Sequence, residues 1–122
     1  MPRSVLLQLA RDSIVEVFAA QRTIEKEHLI QKHPLLSQKI KTQVNIYLNN
    51  ELRGTAASSN ATSTLIEDII RNSKRSAFED SNFSPLCTSE YLSCEIEIIL
   101  TTPDGVISEK DEAILVEKET LS

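Results

Sequence analysis

At 122 residues, with 40% apolar and 25% charged side chains, the chain has room for one hydrophobic core and the composition of an ordinary globular domain, which excludes wholesale disorder and a bundle of membrane spans. Its formal net charge of −5 argues against nucleic acid and against an anionic membrane surface as partners, since both demand a positive field. Gly54 and Gly105 are its two glycines, too few for the phosphate-cradling loops of dinucleotide and Walker-type enzymes.

One domain is expected over 1–122. Val5-Leu6-Leu7 is broken by Gln8 and followed by Arg11-Asp12, too short and too polar for a secretory core. Cys87 and Cys94 without an export signal point to a reducing compartment, hence the cytoplasm. From Ser4 to Ala20 the apolar residues Leu6, Leu9, Ala10, Ile14, Val17 and Phe18 recur at helical spacing, with Gln8, Arg11, Asp12 and Glu16 on the other side; the pattern predicts an amphipathic helix. Thr23 to Ser37 reads as a connecting segment with at most one turn over Glu25–Ile30, since Pro34 pushes His33 toward extended geometry.

Gln43 to Leu48 alternates, with Val44, Ile46 and Leu48 on one face and Asn45 and Tyr47 on the other, the pattern of a half-buried strand. A second strand, Leu52 to Ala56, follows Asn49-Asn50. Parity favours a three-residue loop, Asn49-Asn50-Glu51, which pairs Leu48 with Leu52 and Tyr47 with Arg53 and so keeps Arg53 out of the core. The small polar run Ser58–Ser63 reads as a loop, and Thr64 with Glu67 as a capping box opening a helix to about Phe78 with Leu65, Ile66, Ile69, Ile70 and Ala77 inward. A loop over Glu79–Thr88 leads to a strand from Cys94 to Thr101, with Cys94, Ile96, Ile98 and Leu100 on one face and Glu95 and Glu97 on the other. Pro103-Asp104-Gly105 makes a tight turn, and Ala113–Val116 a last short strand after the charged run Glu109–Glu112. Together these predict an α+β fold.

Arg53 faces away from the expected core beside Tyr47, and Gly54 leaves backbone open to close approach, a seat for a carboxylate or phosphate group; the competing reading is a strand arginine covering Tyr47. Cys87 and Cys94 have no second pair to complete a zinc site, and His28 and His33 miss the spacing that puts two imidazoles on one helical face. Neither a metal nor a cofactor is expected. Arg71, Lys74 and Arg75 share a helix face with Glu67 and Asp68 one turn earlier, which reads as a solvated, ion-paired surface. Ser58, Ser59 and Ser63 lack a nucleophile elbow.

Three segments in order, Leu52-Arg53-Gly54, Phe78 to Leu86 (FEDSNFSPL) and Glu95 to Pro103 (EIEIILTTP), with the opening Leu6 to Ile14 (LLQLARDSI), resemble the AMME chromosomal region protein family over nearly the whole chain. The resemblance implies an α+β fold with a mixed, mostly antiparallel sheet flanked by two main helices, and no established activity. It places the Asp80, Phe83 and Pro85 loop near the Arg53 strand, with Asp80 capping or turning the chain as the plainer alternative. Where the family continues with Cys-Ile-Gly, this sequence has Thr55-Ala56-Ala57, which removes the natural candidate nucleophile, and Asn82 stands where the family carries Arg. The family also runs further than Ser122, so the resemblance implies an open cleft side and an uncovered edge at Ile114–Val116 that a second copy could pair with.

The expected ligand-binding set is therefore Tyr47, Arg53, Gly54, Thr55, Asp80, Phe83 and Pro85, with no catalytic set. The leading expectation is a module that binds a protein partner or a small anionic ligand. The alternative, carried by the family resemblance, is a small enzyme or enzyme component acting with Memo-like and radical SAM proteins in a modification pathway.

Overall fold

Ser4 starts the first helix. In the computed structural model, which describes residues 4–114, its hydroxyl accepts the Leu7 amide at 3.2 Å, satisfying one of the orphan donors of the first turn. Helix α1, Val5–Ala19, ends at Ala20, whose left-handed backbone (φ 53°) closes the last turn. Leu6, Leu9, Ala10 and Ile14 are buried as expected. Arg11 and Glu16, expected on the solvent side, are buried too, at 1% and 7% exposure, whereas Val17, expected inside, is 43% exposed. Both buried charges find partners on distant segments, which helical periodicity cannot register.

The segment after α1 is more ordered than expected: α2 spans Lys26–Lys32, followed by a 3-10 turn over Pro34–Ser37 that buries Leu36. The strands are β1 (Lys41–Leu48) and β2 (Glu51–Ala57), then β3 (Glu95–Thr102) and β4 (Gly105–Lys110). They form one sheet in the order β2-β1-β3-β4, and all three pairings are antiparallel. Helix α3 (Leu65–Phe78) packs on β1 and β2 and against α1, which contacts β3. Between them lies the core, with Val44, Ile46, Leu65, Ile66, Ile69, Ile96 and Ile98 at 1% exposure or less, each such side chain contributing about 1.5–3 kcal/mol.

Four expectations need correcting. The β1–β2 turn has two residues, Asn49 and Asn50, both left-handed (φ 54° and 66°), and pairs Leu48 with Glu51 and Tyr47 with Leu52. This is the turn whose twist suits a hairpin. A bulge then restores parity, so that Ile46 pairs with Gly54 and Arg53 is the extra residue. The Thr64–Glu67 capping box does not close on the backbone; the Thr64 hydroxyl donates to Glu67 Oε1 at 3.1 Å instead. The Glu79–Thr88 loop ends in a further helix, α4 (Thr88–Ser93). Among the described residues the last strand is β4, directly after the Pro103-Asp104 turn, while Ala113 and Ile114 are not in a strand and Leu115 and Val116 lie outside the described residues. The 3.6- and 2-residue periods are too short-ranged to distinguish a hairpin of exposed Val106 and Ile107 from loop.

Candidate functional site

A bulge adds a residue without a ladder partner and re-aims its side chain. Arg53 occupies that place, and it reaches toward α4 and the preceding loop rather than over Tyr47. Its Nε and Nη2 donate to both carboxylate oxygens of Glu90 at 3.0 Å, and Nη2 also donates to the Ser84 carbonyl at 2.9 Å. The guanidinium carbon sits 5.5 Å from the centre of the Phe83 ring, within reach of the ring quadrupole. The Arg53 side chain is 11% exposed and that of Glu90 28%. Arg53 is therefore engaged by the protein itself.

Asp80 supplies the second tie. Its Oδ2 accepts the Thr55 amide at 3.0 Å, an outward-pointing donor of edge strand β2, and its Oδ1 accepts the Asn82 amide at 2.9 Å. The Asn82 amide foremost, then the Thr55 amide and the nearby Arg53 charge, hold its carboxyl below the usual range. The Arg53 guanidinium does the same for Glu90, with the Cys87 amide as a further donor. The third tie is Leu86, buried at 3% exposure, whose amide donates to the Ala77 carbonyl at 2.8 Å. Between these anchors, Ser81 to Pro85 are exposed. Asp80, Phe83 and Pro85 thus share one short loop against the Arg53 strand, as the resemblance implied.

The other expected residues have other duties. A Cβ on Gly54 would collide with the backbone carbonyl of Ser76; the close approach that glycine permits is that of α3 to β2. The Thr55 hydroxyl donates to Asn45 Oδ1 at 2.6 Å, on the sheet face away from α1 and α3. Tyr47 belongs to that face as well. Its hydroxyl donates to Glu97 at 3.0 Å, and Lys110 Nζ lies 4.6 Å from its ring centre. Burial, and then the Glu97 carboxylate, push the phenol up from its ordinary value. Tyr47 is not part of the Arg53 cluster.

Sequence reasoning missed Arg11, whose guanidinium fills all its donor positions: Asp111 Oδ2 at 2.7 Å, the carbonyls of Tyr91, Cys94 and Glu112, and the Cys94 sulfur. It ties α1 to α4, the start of β3 and the segment after β4. Cys94 is fully buried, and burial pushes its thiol up, the environment of an inert core cysteine. Among the described residues no three His, Cys, Asp or Glu side chains gather as a metal site, and no helix is long and apolar enough to cross a membrane.

A family model described as AMMECR1 matches residues 7–120. Among solved structures, the crystal structure of an uncharacterized protein, PH0010 from Pyrococcus horikoshii, is similar with a TM-score of 0.71 and 27% sequence identity, over 80% of this chain and 50% of that one. The chain thus spans about half the length of that relative. No curated protein sequence matches.

Proposed function

The chain belongs to the AMMECR1 family, and from that premise we propose that it is a protein-interaction module whose contact surface is the Ser81–Pro85 loop. One observation carries this reading: Arg53, the expected anion seat, spends its donors on Glu90 and Ser84 and so acts as a post that holds an exposed loop in one shape. A loop fixed at Asp80, Arg53 and Leu86 loses little conformational entropy on binding, which favours affinity from a small surface. Phe83, 36% exposed and backed by a guanidinium, is the aromatic anchor such a surface needs. The net charge of −5 favours a protein partner over nucleic acid or lipid.

The test is quantitative affinity capture with wild type and Phe83→Ala, whose unfolding midpoint is measured alongside. Loss of a specific partner by Phe83→Ala at unchanged stability is the expected result. Identical partner lists from the two proteins would reject the loop as the contact surface.

A further inference from the structure

We propose that the pocket between the Ser58–Ser63 loop and the outer face of α3, at the far end of β2 from Phe83, binds a small phosphorylated polyol. The pocket has a volume of about 400 Å³, within the range of small-molecule sites. Ser59, Asn60, Thr62 and Ser63 line it from the loop, Arg71 and Arg75 from the helix. The two arginines are one helical turn apart, which puts both guanidinium groups on one face.

The wall beneath them is held from inside the protein. Asn72, with no exposure, donates from Nδ2 to the Ser58 hydroxyl at 3.0 Å and to Thr42 Oγ1 at 2.8 Å. Ser58 in turn donates to Asp68 Oδ2, and Asp68 Oδ1 accepts from Arg71 Nη2, each at 2.5 Å. Asp68 lines the pocket at 1% exposure, and both its oxygens accept these bonds. Arg71 balances its charge. Arg75 is exposed and forms no salt bridge with a described residue, so that among the described residues its positive charge at the pocket wall is unpaired, in a chain of net charge −5.

Forked guanidinium donors match phosphate oxygens in pairs, so the phosphate lies against Arg75; Arg71, whose Nη2 donates to Asp68 and Ser63, stands beside it with its other donors. The remaining lining offers hydroxyl and amide groups, each able to donate and accept, and this suits a polyol better than an aromatic or aliphatic body. The pocket exceeds what a bare phosphate fills, and the hydroxyls supply the rest of the recognition.

The experiment is a titration of the ¹⁵N-labelled full chain, followed by NMR, with glycerol 3-phosphate, inorganic phosphate and glycerol in separate arms. Saturable shifts confined to Ser58–Ser63 and the Arg71–Arg75 turn are expected, tighter for glycerol 3-phosphate than for phosphate and absent for glycerol. Arg75→Gln, an exposed substitution that leaves the remaining spectrum unchanged, weakens binding about tenfold or more, while Phe83→Ala leaves it intact. The proposal is overturned by shifts that never saturate, by equal binding of the Arg75→Gln variant, by shifts spread over Lys26, Lys32 and Lys41, or by phosphate binding as tightly as the ester.

Discussion

Arg11 Nε donates to Asp111 Oδ2 at 2.7 Å between positions one hundred residues apart, and the two side chains are 2% and 7% exposed. A buried pair of this kind adds little over a well-packed apolar pair, but breaking it strands a charge in low dielectric. Arg11→Ala is therefore expected to cost about 3–5 kcal/mol. Arg11→Lys recovers less than half of that, because an ammonium cannot reach a carboxylate, three carbonyls and a sulfur in five directions. Urea denaturation measures both; an Arg11→Ala value within about 1 kcal/mol of wild type contradicts the assigned role.

Acid sensitivity follows from Glu16 and Glu90. Burial works to raise the Glu16 carboxyl, but the Ile24 amide, Lys74 and the Thr23 amide together outweigh it and hold the group below its ordinary value. The Arg53 guanidinium lowers Glu90. A depressed folded-state value stabilises the fold fully above the unfolded value, about 4.3 for glutamate, and the contribution disappears as pH falls through the lower folded value. The thermal midpoint is expected to drop as the medium is acidified below about pH 4.3. Glu16→Gln lowers the midpoint at neutral pH and flattens that acid slope, and a slope unchanged from wild type argues that other carboxylates carry it.

Gly54→Ala is the sharpest packing test. The added methyl meets the Ser76 backbone carbonyl, which cannot swing aside as a side chain would, so α3 must move off β2 at a cost of about 1–3 kcal/mol or more. Gly105→Ala separates this from backbone strain. Its φ of 136° disfavours alanine although nothing lies near the new atom, and the expected loss is about 1–3 kcal/mol with the Thr102–Gly105 turn alone disturbed. Chemical shifts that move along α3 in the first variant and not in the second check the assignment.

The sequence was readable where side-chain period and burial agree. Val44, Ile46, Ile96, Ile98, Ile69 and Ala77 are buried as their spacing predicts, and the expected pairing of β1 with β2 holds from Ile46 and Gly54 onward. The tip of that hairpin was misread for a physical reason: a three-residue loop and a two-residue loop with a bulge give the same parity beyond the bulge, and only the second places Arg53 toward α4. Arg11 and Glu16 were misplaced because their partners Asp111, Thr23 and Lys74 are brought near by tertiary structure. The Asp80, Phe83 and Pro85 loop was found through the family motif, since its ties to Thr55 and Arg53 leave no periodic trace.

The Arg53–Glu90 clamp yields the last prediction. If the bidentate pair holds the Ser81–Pro85 loop, then Arg53→Ala and Glu90→Gln should loosen the same amides, and combining them should add little to either. A double-mutant cycle is expected to give a coupling of about 1 kcal/mol, since both groups keep some solvent contact. Hydrogen exchange separates this from a general loss of stability. The amides of Asn82 and Phe83, bonded to Asp80, and that of Cys87, bonded to Glu90, are expected to exchange faster in the Arg53→Ala chain. Amides of β1 and β3 should slow or quicken only with the global unfolding free energy. Equal acceleration across the sheet would mean that Arg53 supports the whole fold, and no acceleration at Phe83 and Cys87 would mean that Asp80 and Leu86 hold the loop without it.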